Sequence, residues 1–175
     1  MFQEASDHNT RIYKLLSIVS FVFITSALIV IATTPTASGY ELSIYDAYPS
    51  YFWFFLIAAF ACGIGILIHQ AFAGVKSNWW LAGLCIVILS NAMFLGLPFF
   101  RGYAFYPAGD ALTHLGYMKD IIVTGHLGQA NFYPIVHILG VDILSITGLS
   151  RGAATNLLFV FFSFLYLLNM YLLAT

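Results

Sequence analysis

Residues 101–139 read RGYAFYPAGDALTHLGYMKDIIVTGHLGQANFYPIVHIL and bring together side chains that could move a proton or meet an anion. Asp110 stands where a helix is predicted to begin. One role for it is helix capping, because Asp accepts bonds from the first unpaired backbone N–H groups. A second is catalytic, because a carboxylate at a membrane surface can take the proton of an acceptor hydroxyl. His114 follows at i+4 and shares the face of Asp110. It reads as a surface imidazole bonded to Asp110, as a phosphate contact, or as half of a metal site. An Asp/His pair supplies only two ligands, so no metal ligand set is assigned. His137 and Asp142 stand in a later apolar stretch, where ionisable groups are costly and face a bundle interior or a pathway. They read either as a structural pair or as a polar membrane site.

These residues depend on the elements that carry them. Asp110–Thr124 has the pattern of an amphipathic helix. Asp110, Thr113, His114, Tyr117, Asp120 and Thr124 form one stripe, and Leu112, Leu115, Met118 and Ile122 form the other face. Such a helix can lie in the membrane interface. Gly125-His126-Leu127-Gly128 ends it, and Tyr133-Pro134 opens Pro134–Leu149, with proline suited to a first helical turn.

The whole chain sets the environment. Of 175 residues, 61% are hydrophobic, 18% aromatic and only 7% charged, with a formal net charge of −1. Average globular proteins carry roughly 25% charged residues. So few charges cannot cover a water-soluble surface, which excludes a soluble enzyme, a nucleic-acid binder and a disordered chain. Long continuous apolar runs, rather than short alternating strands, exclude a membrane β-barrel. The expected fold is all-α: one polytopic transmembrane helix bundle over residues 1–175, facing a lipid bilayer. Its expected spans are 12–33, 50–71, 79–100, 134–149 and 154–175, with an interfacial helix at 110–124. Pro134–Leu149 is short for a span, and a re-entrant segment is the alternative there. Cys62 and Cys85 lie in apolar runs and read as small hydrophobes.

Arg11 and Lys14 flank the first run and Lys76 sits between the second and third, whereas 34–49 has Glu41 and Asp46 and no Lys or Arg. The positive-inside rule then predicts a multi-pass cell-membrane protein with a cytoplasmic N-terminus and with 34–49 and 101–132 outside. A fifth crossing returns Arg151 to the cytoplasm. Glu41 and Asp46 read as solvated loop acids, or as acids facing the same outer side as Asp110. His69 reads as interfacial.

Asp110-x-x-x-His114, a helix, Gly125-His126, and Tyr133-Pro134 leading into a helix resemble the first catalytic loop of GT-C membrane glycosyltransferases. The nearest shapes are the oligosaccharyltransferase catalytic subunit and the dolichyl-phosphate-mannose–protein mannosyltransferases. Residues 38–49 also look like archaeal multi-span proteins. The resemblance implies a sugar transferase with a polyprenyl-phosphate-linked donor and an acceptor on the outer face. It implies Asp110 as the catalytic carboxylate, with His114 and Tyr117 beside the phosphate or acceptor. Arg101 and Lys119 become candidates for the donor phosphate, since a fixed cation suits an anionic head group. A divalent cation is a cofactor that the resemblance leaves open, and other membrane subunits are partners it leaves open. In the family this loop follows the first span, whereas here it follows the third, and the family has more spans. The chain is therefore expected to be the N-terminal portion of a longer protein. Two rival functions are a non-catalytic membrane subunit and a transporter-like protein working through Asp142 and His137.

Overall fold

The computed structural model describes residues 2–39, 41–73, 77–103 and 110–174. Lys76, Gly109 and Thr175, which entered the sequence reading, lie outside them. Among the described residues all regular secondary structure is helical. The order is α1 (Phe2–Thr33), α2 (Ser50–Ala73), α3 (Trp79–Phe100), α4 (Ala111–Thr124), α5 (Pro134–Thr147) and α6 (Arg151–Ala174). Four stretches, Thr10–Thr33, Ser50–Phe72, Trp79–Phe100 and Arg151–Met170, are long and apolar enough to cross a membrane. This fits a multi-pass helical membrane protein in contact with lipid. The 14 residues of α5 are also apolar but fewer.

Two helix starts differ from the sequence expectation, and both have local causes. α1 begins ten residues before Ile12, because the chain has no glycine or proline before Pro35 to stop a helix. α6 begins at Arg151 rather than Ala154. Ser150 caps it, with the Ala153 N–H donating to Ser150 Oγ at 3.2 Å. α4 ends at the expected Gly125 signal, and α5 ends at Thr147, before Gly148, rather than at Leu149. Gly125 (φ 70°) and Gly148 (φ 68°) adopt the left-handed conformation that closes a helix, and each donates its N–H back into the last turn.

The chain forms two compact units, one through Leu97 and one from Pro98 on. In the first, α1 and α2 are antiparallel. The fully buried Tyr13 is hydrogen-bonded through its hydroxyl to His69 Nδ1 at 2.8 Å, and Phe23 packs on Phe54 and Phe55 with ring centroids 5.7 and 5.9 Å apart. His69 is thus held by Tyr13 as well as lying near a helix end. α2 and α3 meet backbone to backbone: a Cβ on Gly83 would stand 3.0 Å from the Gly63 carbonyl oxygen, and one on Gly63 would stand 2.9 Å from Ile86 Cγ2. Lipid tails are as apolar as leucine, so close packing of small residues, not water exclusion, holds such helices together.

In the second unit, α4, α5 and α6 share Met118, which is almost fully buried. Gly140 of α5 leaves the room for it, since a Cβ there would lie 2.7 Å from Met118 Cε. Thr155 of α6 reaches Met118 Sδ at 3.7 Å. Of the apolar face expected on α4, only Met118 is buried; Leu112 and Ile122 are exposed. The protein-facing side of α4 holds Met118 together with His114, one turn before it.

Gly83→Leu is expected to destabilise the folded protein by about 1–3 kcal/mol through overpacking. Gly65, whose Cβ position meets nothing within 4 Å, is the control, and Gly65→Leu should change stability by less than about 0.5 kcal/mol. Thermal unfolding in detergent measures both. Equal effects would show that the Gly63–Gly83 approach is not what holds α2 to α3.

Candidate functional site

Asp110 occupies the N-cap position of α4, but its side chain makes no capping bond. Its backbone carbonyl starts the helix, accepting from the Thr113 and His114 N–H groups at 3.0 and 3.2 Å. Asp110 Oδ2 lies 3.2 Å from His114 Nε2. The helical i,i+4 spacing therefore joins them as the sequence implied. Asp110 is 76% exposed and His114 only 26%, so the carboxylate is open to the surroundings while the imidazole behind it is partly enclosed.

The pairing does not stop at His114. Its Nδ1 lies 2.7 Å from Nε2 of His137, the fourth residue of α5. His137 Nδ1 lies 2.6 Å from Asn131 Oδ1, in the loop just before α5. His137 is 1% exposed and Asn131 9% exposed. An imidazole at that depth needs partners for both nitrogens, and it has them. Tyr117, one turn beyond Thr113 on α4, sets its ring 5.1 Å from that of His137 and donates its hydroxyl to the Ala130 carbonyl at 2.8 Å. That bond ties the Asn131 loop to α4. Beside the pair is a cavity of about 70 Å³ lined by His114, His137, Thr155, Leu158, Phe159 and Phe162, among others.

The other residues singled out in the sequence are not in this group. Asp142 is exposed. It is five residues beyond His137, about 140° around α5, so the two do not form the structural pair that was one reading of them. His137 pairs with His114 instead. Lys119 is exposed and stands about 140° around α4 from His114. Arg101, just past the end of α3, is buried, with 6% of its surface exposed. His126 is exposed in the turn after α4, where its N–H donates to Thr124 Oγ1 at 3.1 Å. Asp46 is exposed in the 34–49 loop.

Among the described residues no group of three or more His, Cys, Asp or Glu side chains is arranged to hold a metal ion. The facing histidine nitrogens do not fit one either. Two imidazole nitrogens on one tetrahedral zinc stand about 3.3 Å apart, whereas these are at 2.7 Å. That distance suits a hydrogen bond.

Asn131 is the member of the site that sequence reading missed. The signal was available in the demand of His137: a histidine in an apolar helix needs polar partners, and Asn131 is the nearest polar side chain before Tyr133-Pro134. The His114–His137 contact had no local signal, since 23 residues separate the two rings. No family model matches the chain, and neither a curated protein nor a solved structure matches it.

Proposed function

We propose that this chain is a membrane glycosyltransferase-like protein of the GT-C type. It transfers a sugar from a polyprenyl-phosphate-linked donor to an acceptor at the outer membrane face, with Asp110 as general base. The observation that carries the reading is the state of Asp110: an exposed carboxylate at the head of α4, held on one oxygen by His114. A carboxylate is a weak base toward an alcohol until the alcohol is bound beside it, and a partner that fixes its direction makes such contact productive. In the step itself, the acceptor oxygen bonds to the sugar's anomeric carbon and its proton passes to Asp110. The bond from that carbon to the phosphate oxygen breaks, and polyprenyl phosphate leaves with the bonding pair. His114, and Tyr117 through the loop it holds, keep Asp110 and its surroundings in place. Arg101 and Lys119 remain candidates for the phosphate only if the donor reaches beyond the Asp110–His114 group.

The topology belongs to the same reading. The N-terminus and Lys76 lie in the cytoplasm, and 34–49 and 101–132 lie outside, following the Lys and Arg distribution. α4 rests at the interface, and its exposed Leu112 and Ile122 suit lipid. α5 makes the fifth crossing and returns Arg151 to the cytoplasm. Its 14 residues span about 21 Å, against a hydrocarbon core of roughly 30 Å. A locally thinned bilayer accommodates this. A re-entrant α5 leaves Ser150 outside. Other membrane subunits are compatible partners.

Two measurements test this reading. In a background lacking Cys62 and Cys85, Ser38→Cys should be labelled by an impermeant reagent from outside, and Ser150→Cys only from the cytoplasm. Labelling of Ser150→Cys from outside would replace the fifth crossing with a re-entrant segment, and labelling of Ser38→Cys only from inside would reverse the orientation. Asp110→Asn should keep helix content and yield, because the side chain makes no cap bond to lose. Transfer from a polyprenyl-phosphate sugar in membranes should fall about 10²–10⁴-fold. Asp46→Asn should have little effect. Near-normal transfer by Asp110→Asn would remove Asp110 as the base.

A further inference from the structure

α3 is buried along one face. Gly83, Ile86, Ser90, Met93 and Leu97 are buried, at the spacings that make one side of a helix. Roughly opposite them, Leu81, Leu84, Ile88, Asn91 and Leu95 form a second stripe. Its spacings of 3, 4, 3 and 4 residues are those of a helix–helix seam. Leu81 is 45% exposed, and the other four are half-buried.

One member of this stripe is ill-suited to hydrocarbon. Asn91 is the thirteenth of the 22 residues of α3 and stands near the middle of a candidate span. Its carboxamide makes no hydrogen bond among the described residues. It also borders a groove of about 220 Å³ between α2 and α3, lined otherwise by Leu56, Ile57, Phe60, Ser90 and Phe94. Ser90 is 2% exposed, and its hydroxyl has no partner among the described residues. Ser20, Ser26 and Ser145 each donate to the carbonyl four residues back, and Ser90 does not. An amide and a hydroxyl thus stand unmet side by side at mid-span, where lipid offers no substitute for a hydrogen-bond partner.

We propose that α3 is a dimerisation helix. Two copies of this chain pair through the stripe from Leu81 to Leu95, and their Asn91 carboxamides bond to each other across a two-fold axis normal to the membrane. Copies inserted in the same orientation place Asn91 at the same depth, so symmetry itself supplies the partner. A carboxamide donates from Nδ2 and accepts at Oδ1, so two of them satisfy each other reciprocally. Ser90 Oγ, in the same groove, is a further acceptor for the amide of the second copy. A lipid tail in the groove brings neither donor nor acceptor. An unrelated helix would need a polar side chain at that one depth, whereas a second copy always has it. The aliphatic members of the stripe supply packing, and the single Asn fixes register. The inference uses only the helical membrane fold and does not rest on glycosyl transfer.

The purified full chain in phosphatidylcholine vesicles, with no other protein present, tests it. In a Cys62→Ala, Cys85→Ala background, Ile88→Cys and Leu95→Cys should give disulfide-linked dimers on oxidation. Leu89→Cys, off the stripe, should give several-fold fewer. Energy transfer between donor- and acceptor-labelled Ser38→Cys copies, followed as lipid dilutes the protein, measures the dimer dissociation constant. Asn91→Leu should raise that constant about 3–30-fold, the range for polar contacts between membrane helices. Asn91→Gln keeps the amide and should raise it less. Helix content measured on each variant separates lost pairing from lost folding, and the Cys series reads the seam with Asn91 intact. Equal yields at all three Cys positions, a monomer at every dilution, or an unchanged dissociation constant in folded Asn91→Leu would each overturn the proposal.

Discussion

A buried imidazole must have both of its nitrogens met, and much of the second unit is organised around that demand at His137. Leaving a buried polar atom unmet costs about 1–3 kcal/mol, a large share of what holds a small helical unit together. Nε2 is met from α4 by His114, and Nδ1 is met from the preceding loop by Asn131. The loop is in turn tied to α4 by Tyr117. Two helices and their connection are thus joined by polar contacts of defined direction. The apolar contacts around them, Met118 and Leu158 against Gly140 among them, fill space without setting register. The direction of the polar contacts is what turns Asp110 toward His114 and away from the helix end it would otherwise cap.

The two units use different means of association. α2 and α3 close through Gly63 and Gly83, where the absence of side chains lets the backbones approach. This depends on shape alone and involves no titratable group. The α4–α5 contact combines a glycine at Gly140 with the imidazole pair, so titratable groups take part in it. The exposed Asp110 carboxylate stands beside His114 in the second of these contacts.

Sequence legibility follows the range of the forces involved. The long helices were legible because twenty-odd apolar residues in a row have few alternatives in water or lipid. The end of α4 was legible because Gly125 adopts a backbone conformation that other residues avoid, whereas α5, read as far as Leu149, stops at Thr147 because Gly148 does the same. The Asp110–His114 contact was legible because helical periodicity alone brings i and i+4 together. The start of α6 was misjudged by three residues, since the Ser150 cap outweighs the drop in hydropathy that Arg151 and Gly152 cause. On α4 the polar stripe is mostly exposed, with Asp110, Thr113, Asp120 and Thr124 at the surface, while His114 and Met118, one turn apart, face the protein. The His114–His137 contact depends on tertiary packing over 23 residues, and no pattern within either helix encodes it.

The position of His114 on α4 has a consequence for biosynthesis. Its apolar residues Leu112, Ile122 and Val123 face outward, while His114 faces α5. Before α5 has been made, His114 meets only Asp110 at the head of its own helix, and its Nδ1 must face water. Its partner His137, with the Asn131 that holds His137 from the other side, arrives within the next two dozen residues of synthesis. Closure of such a short sequence interval is entropically inexpensive and fast. α4 and α5 can consequently settle as a pair soon after α5 leaves the ribosome, with α6 docking onto a polar junction already formed.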